Sequence, residues 1–401
     1  MKEWRKSKMM KNRWPTAYQV IETLEHAGFE AYVVGGAVRD FIRSVNAFDV
    51  DITTNATPMD VKRLFSRTFD VGIEHGTVIV VLQDSIEVTT FRSEATYSDF
   101  RRPDQVTFVS SLREDLERRD FTMNAMALTK EDELIDYFDG KSDIANHLIR
   151  AVGEPNKRFG EDALRMLRAV RFSAQLGYTL HEETMEAIQT LHHLIGHVSI
   201  ERVKVEIEKI WASKHVAKGL ELFVSSKLAH NFSGDWSRSI SKWKEFTNFG
   251  LTANGWAFFA LIQQPLNINT LLNHYKCSNA EKNHVKQIVL AVGKLEKGYW
   301  SNDDFYQFSE DVLVVASCYS AIINDISSYS VEKIIQLKEA IPISTSRQIV
   351  VNGNDLMEWS GQKRGPWLKE LIHKLTSAIV NREIQNDRLQ IKEWFIREYK
   401  H

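Results

Sequence analysis

Asp49 and Asp51, one residue apart in DVDITT, are the first residues whose type and spacing suggest chemistry. On a strand, residues i and i+2 share a face, so both carboxylates project the same way, about 6 to 7 Å apart. Such a pair suits a divalent cation such as Mg2+, which takes carboxylate oxygens together with water and substrate phosphates. In phosphoryl transfer these ions clamp the attacking and leaving oxygens, and a third carboxylate is normally wanted nearby. Glu87 is the candidate, because in SIEVTTF it alternates with Ile86 and Val88 and so faces away from their apolar side chains.

Just upstream, AYVVGGAVRD reads as a strand running into a helix through Gly35 and Gly36. Glycines at such a turn let backbone N–H groups approach a phosphate at the positive end of the following helix. Arg39, one turn into that helix, adds a guanidinium. A glycine pair or a DxD alone is usually an ordinary turn, so the argument rests on their occurring together in this order.

A third cluster lies in RFGEDALRMLRAVRF, which reads as one helix with Asp162 and Arg165 three apart and therefore neighbours on its surface. A carboxylate accepts from an exocyclic amino group, while a guanidinium donates to the adjacent ring nitrogen or carbonyl. Cytosine and adenine both fit that pair. Uracil and guanine present the reverse order and would leave buried polar groups unpaired, at about 1 to 3 kcal/mol each. Taken alone, Asp162 with Arg165 is more often an i,i+3 ion pair on a solvated helix. Arg118 and Arg119 beside Asp120 equally read as a surface pair ahead of a capped helix.

The elements that must position these residues fall into two styles. Over 31–136 the runs AYVVGG, DVDITT, HGTVIVVL, SIEVTTF, QVTFV and ELIDYF read as strands between helices, an α+β head. From about residue 156 the pattern turns helical, as in EDALRMLRAVRFSAQL and ERVKVEIEKIWASK, with no repeat of 20 to 50 residues. At 401 residues the chain predicts several domains. The 51 basic and 53 acidic side chains nearly cancel, so a polyanion must bind a local patch. Two cysteines, Cys277 and Cys318, exclude a disulfide framework and a zinc site and fit a reducing cytoplasm. The longest apolar stretch, 312–323, reads as a core helix and falls short of a membrane span. The basic N-terminus lacks the apolar region of a secretory signal. His75, His192 and His193 lack metal-ligand spacing, and tryptophans such as Trp211, Trp243, Trp256 and Trp394 read as core. Seven prolines, well under the usual share near 5%, predict modest thermal stability, with a melting midpoint not above about 70 °C.

The stretch AYVVGGAVRDFIRSVNAFDVDITTNATP resembles the first motif of the class II tRNA nucleotidyltransferases, the CCA-adding family of the DNA polymerase β superfamily. LERRDFTMNAMAL resembles the family's second motif. By that resemblance Gly36, Arg39, Arg119, Asp120 and Asn124 position the nucleotide, Asp162 and Arg165 read its base, and Arg168 and Arg171 contact it. RSEATYSDFRRPDQVTF resembles the flexible loop tied to the switch from C to A, and DYFDGKSDI, with Asp139 and Gly140, the hinge between head and neck. The segment VNGNDLMEWSGQKRGPWLKELIHKL and its continuation resemble a tRNA-binding tail, with Lys363, Arg364, Lys369, Lys374 and Arg382 able to meet phosphates.

The resemblance implies a small mixed or antiparallel-sheet nucleotidyltransferase head at 1–149, then an all-α neck at 150–215, body at 216–330 and tail at 331–401. It implies template-independent addition of CMP, CMP and AMP to the 3′ end of tRNA from CTP and ATP, with release of pyrophosphate. The implied cofactor is Mg2+ on Asp49 and Asp51 with Glu87 nearby, and the implied partner is tRNA through its 3′ end and acceptor arm. No membrane partner is expected, the compartment is cytoplasmic, and a homodimer stays open. Poly(A) polymerases share the first motifs but usually carry an arginine-rich turn where this chain reads DVGIEHGTVIVVL. A partial CC- or A-adding enzyme is a further alternative. So is a non-catalytic RNA-binding protein, against which the intact DxD argues.

Overall fold

Four buried or half-buried residues that favour extended backbone, Ala31–Val34 (β1), lie near the middle of a seven-stranded sheet. A computed structural model describes residues 14–47, 49–71, 76–94, 106–263, 267–326 and 329–399. The chain forms two compact units, Met1–Ile240 and Ser241–His401.

In the first unit the other strands are Asp51–Thr54 (β2), Thr68–Asp70 (β3), Thr77–Val81 (β4), Ser85–Thr90 (β5), Arg92–Glu94 (β6), Val106–Phe108 (β7), Met126–Leu128 (β8), Leu134–Asp136 (β9), Leu148–Ile149 (β10) and Thr179–Leu180 (β11), the last two paired with each other. The sheet order is β3-β4-β5-β2-β1-β8-β9, with β6 and β7 a separate pair. Only β2 and β5 pair in parallel within the seven strands, so the sheet is mixed, as expected. That parallel register sets Asp51 beside Glu87. Each of the six expected runs contains a strand, although Asp49 precedes β2, and β3, β6, β8, β10 and β11 are additional. Helix Trp14–His26 lays its stripe of Trp14, Ala17, Val20, Ile21 and Leu24 into the core.

Beyond residue 150 the same unit continues with five α-helices: Pro155–Glu161, Leu164–Leu176, Glu182–Leu191, Ile200–Trp211 and Val216–Ser225. RFGEDALRMLRAVRF is therefore not one helix, because the chain breaks at Asp162, whose φ of −137° and ψ of 103° are extended. The Asp162 carboxylate accepts the Leu164 N–H at 3.0 Å, a local bond that competes with helix propagation and starts the next helix. Gly219 of Val216–Ser225 comes so close to Ala174 that a Cβ there would lie 2.6 Å away. Residues 216–240 thus pack with the first unit.

Within the second unit every regular element among the described residues is a helix. Ala253–Ile262 is buried on every side, with Trp256 wholly enclosed. The stretch 312–323 lies inside helix Glu310–Asn324, and among the described residues no helix is long and apolar enough to cross a membrane. Helices Gly353–Ser360, Pro366–Val380 and Arg388–Tyr399 share a core of Leu371, Leu375, Ile379, Ile391 and Phe395. Trp211, Trp243, Trp256 and Trp394 are all buried, as expected. His75 and residues 95–105 of the expected flexible loop lie outside the described residues.

Candidate active site

β1 ends in Gly35 at φ 72° and ψ −132°, a left-handed position that glycine adopts without strain. A Cβ on Gly35 would sit 3.1 Å from Arg119 Nη1, so the glycine lets that guanidinium lie over the turn. Helix Gly36–Ile42 follows and carries Arg39. Arg39 donates through Nε and Nη2 to both oxygens of Asp40 at 3.0 and 3.1 Å, and through Nη1 to Asn124 Oδ1 at 3.0 Å.

These residues open onto a cavity of about 690 Å³ that lies wholly in the first unit. Asp49 and Asp51 line it, as do Gly36, Arg39, Arg119, Asp120, Asn124, Asp162, Arg165, Arg168 and Arg171. Of the expected catalytic and nucleotide-binding residues, Glu87 alone is absent from the wall. It is exposed on β5 beside Asp51. Among the described residues no group of three His, Cys, Asp or Glu could hold a metal ion. Two carboxylates on a wall otherwise rich in cations still fit Mg2+, which binds through one or two carboxylates and completes its shell with water and substrate phosphates.

The second motif wraps behind the glycine turn. Asp120 is 7% exposed and its carboxylate accepts from Arg168 Nε at 2.7 Å, the Phe121 N–H at 2.9 Å and Asn124 Nδ2 at 3.2 Å. Burial alone would raise its pKa. Arg168 opposes that most strongly and, with Asn124 and Arg165, holds the carboxyl at about 2. A continuous polar chain therefore runs from Arg39 through Asn124 and Asp120 to Arg168.

On the helical side, Arg165 Nη1 donates to Glu161 at 2.9 Å and Nη2 to the Arg118 carbonyl at 3.0 Å. The Asp162 carboxylate also has a partner from a distant helix. Arg202, from helix Ile200–Trp211, donates to its Oδ2 at 3.2 Å while Oδ1 receives the Leu164 N–H. Arg171 lies 3.2 Å from Glu206, which is 3% exposed. Burial, then the neighbouring Arg168, lowers the Arg171 pKa to about 10. Phe172 gathers three guanidinium groups, with Arg171, Arg39 and Arg168 at 4.3, 5.5 and 5.6 Å from its ring centroid.

Sequence reasoning missed Phe172, Leu164, Arg202 and Glu206. Glu206 carried a usable signal, since it falls on the apolar stripe of Val203 and Ile207, where a carboxylate needs a partner. Arg202 carried none, because its partner is distant in sequence. Eight arginines against four aspartates give the wall a formal excess of four positive charges. That wall can hold a polyphosphate through its arginines, a divalent cation through Asp49 and Asp51, and an amino-bearing base edge through Asp162 and Arg165.

The first unit matches a family profile described as "Poly A polymerase head domain" over residues 31–150 and another described as "Probable RNA and SrmB- binding site of polymerase A" over 177–234. The second unit matches a "tRNA nucleotidyltransferase domain 2" profile over 249–395. CCA-adding enzymes of Bacillus cereus (strain AH820) and Bacillus mycoides (strain KBAB4) are each 40% identical to the chain, over 95% and 96% of it and 98% of themselves. The crystal structure of the Bacillus stearothermophilus CCA-adding enzyme in complex with CTP superposes with a TM-score of 0.87 at 33% identity, covering 98% of both chains. The Thermotoga maritima CCA-adding enzyme complexed with tRNA shares the fold, with a TM-score of 0.64 at 19% identity over 96% of this chain and 94% of that one.

Proposed function

This chain belongs to the CCA-adding enzymes, a metal-dependent family of nucleotidyltransferases, and from that premise we propose how its own cavity adds C, C and A to the 3′ end of tRNA from CTP and ATP. One observation carries the reading: Asp49 and Asp51 line the same cavity as Asp162 and Arg165, so phosphate chemistry and base selection meet in one space.

The tRNA 3′-oxygen attacks the α-phosphorus in line, the bond to the bridging oxygen of the β-phosphate breaks, and pyrophosphate leaves with the negative charge. Asp49 and Asp51 would hold the ion, Mg2+, with Glu87 close by. When bound, the ion neutralises triphosphate charge and makes the attacking hydroxyl more acidic. Arg119 and Arg39 orient the triphosphate over the glycine turn at Gly36. Arg168, pinned by Asp120, and Arg171, beside Glu206, supply further fixed positive charge. The Asp162 carboxylate accepts the amino group of cytosine or adenine, and Arg165 donates to the neighbouring ring atom. A cytoplasmic setting suits this reaction, and Lys363, Arg364, Lys369, Lys374 and Arg382 are the basic residues available to meet tRNA phosphates.

The test is to incubate the protein and Mg2+ with tRNA lacking its last three nucleotides, supplying CTP, ATP or both, and to sequence the 3′ ends. Growth to CCA followed by arrest is the expected outcome. CC alone, A alone or long A tracts would each identify a different polymerase, and no growth would point to a non-catalytic RNA-binding protein.

A further inference from the structure

We infer that Asp115 is a positioning residue for nucleotidyl transfer, a buried carboxylate that aims Arg118 and Arg119 into the cavity and ties them to the strand carrying Asp51. The inference rests on the reading above that Arg119 orients the triphosphate.

Asp115 lies in helix Leu112–Glu117 and is 0% exposed. A carboxylate wholly removed from water needs charged or hydrogen-bonding partners. Its Oδ1 accepts from Arg118 Nε at 3.0 Å and from the Arg92 backbone N–H at 3.4 Å. Its Oδ2 accepts from Arg119 Nη2 and from Thr53 Oγ1, both at 3.2 Å. Burial pushes the carboxyl up, but Arg118 and Arg119 together outweigh it, so the group stays ionised.

The identity of these partners is what makes Asp115 more than a core group. Arg92, Arg118 and Arg119 all line the cavity. Thr53 stands two residues beyond Asp51 on β2, and therefore on the same face of the strand. One side chain thus fixes the two arginines, the start of β6 and the metal-holding strand relative to one another. Stability alone does not demand such a group. Leu112 and Leu116 already anchor the helix in the core, and a buried ion pair is often replaceable by apolar side chains without loss. Preorganised cations, by contrast, speed phosphoryl transfer by having their geometry set before the substrate arrives.

The experiment is a set of single-turnover rates for C and A addition by the full chain, with thermal unfolding measured alongside. Asp115→Asn keeps the shape and removes the charge. It should lower the rates of both additions by about 10- to 100-fold, since a misplacement near 1 Å costs up to that much. The preference for CTP over UTP should stay unchanged, because Asp162 is untouched. The loss caused by Asp115→Asn should also shrink in the Arg119→Ala background, to the part carried through Arg118 and Thr53. A fully multiplicative double variant, or rates within about twofold of the parent, would overturn the inference. Should Asp115→Asn fail to fold, Thr53→Val removes one donor to the same carboxylate. A smaller loss of rate with unchanged base preference then supports the inference, and an unchanged rate overturns it. Arg119→Ala and the parent chain run in the same series. An inactive parent, or a fully active Arg119→Ala, would defeat the functional reading itself and is thereby distinguished from a failure of Asp115 alone.

Discussion

Asp120 illustrates how a cationic cavity treats its carboxylates. Burial alone would raise its pKa, and Arg168 does most to bring it from 3.8 down to about 2. A folded-state pKa below the unfolded one means that the stabilisation is fully present above about pH 4 and is lost as pH falls towards 2, with a size of about 2 kcal/mol. Urea unfolding of the parent and of Asp120→Asn should therefore differ most at pH 5 and converge progressively below pH 4. A gap that stays constant down to pH 3 would show that the Arg168 pair does not set this dependence. Asp49 lies on the opposite side of the chemistry. Asp49→Ala should abolish addition of both C and A while leaving tRNA binding, measured by filter retention, largely intact, and turnover comparable to the parent would refute its role at the metal. Asp162→Ala should instead blunt discrimination against UTP and GTP and slow use of CTP and ATP, because the amino group loses its acceptor. Primer-extension ratios unchanged from the parent would disprove base reading by that carboxylate. These residues were legible in the sequence because each motif is short and carries its chemistry locally. Arg202, Glu206 and Phe172 were not, since each acts on a partner that only folding brings near.

At the scale of elements, Gly140 shows how little room a turn can leave. It lies in DYFDGKSDI, the segment that resembles the hinge between head and neck, and it is buried so closely that a Cβ there would clash with the Thr122 carbonyl oxygen. Asp136 further fixes the turn by accepting the backbone N–H groups of Phe138, Gly140 and Lys141. Because Thr122 belongs to the short helical turn that ends in Asn124, any shift there reaches Arg39 and Asp120 directly. Gly140→Ala should destabilise the fold by about 1 to 3 kcal/mol, as overpacking does, and should lower CCA addition as well. Gly196→Ala, where nothing lies within 4 Å, is the control and should change neither. Equal melting midpoints for the two variants would remove the case for close packing at Gly140. The strand runs of the head were readable because β-formers alternate between clear breakers. β8 was not, since the run MNAMAL, rich in helix formers, becomes a strand by pairing with β1 on one side and β9 on the other. The break at Asp162 was hidden for the converse reason, as one carboxylate-to-backbone bond overrides an apolar period that runs on through the site.

For the whole molecule, a formal charge of −2 gives no long-range attraction for a polyanion, while the cavity wall holds eight arginines against four aspartates. Affinity for nucleotide is thus a local property of the first unit, which alone supplies every residue of that wall. The two units also have separate cores, one around Val34, Phe91 and Leu116 and the other around Leu375, Ile379 and Phe395. A chain of this size with two cores is not expected to unfold in one two-state step. Ligand linkage then yields an asymmetric outcome in scanning calorimetry. CTP with Mg2+ at about 100 times its dissociation constant stabilises whatever binds it by about 2.7 kcal/mol. For a unit of this length, about 2 to 4 °C per kcal/mol moves its midpoint by about 5 to 10 °C. Only the transition of the first unit should move, and the shift should be lost in Arg119→Ala. Both transitions should have midpoints no higher than about 70 °C, because seven prolines restrain the unfolded chain little. An equal shift of both transitions by CTP would mean that the second unit also senses the nucleotide, and the assignment of binding to the first unit alone would fail.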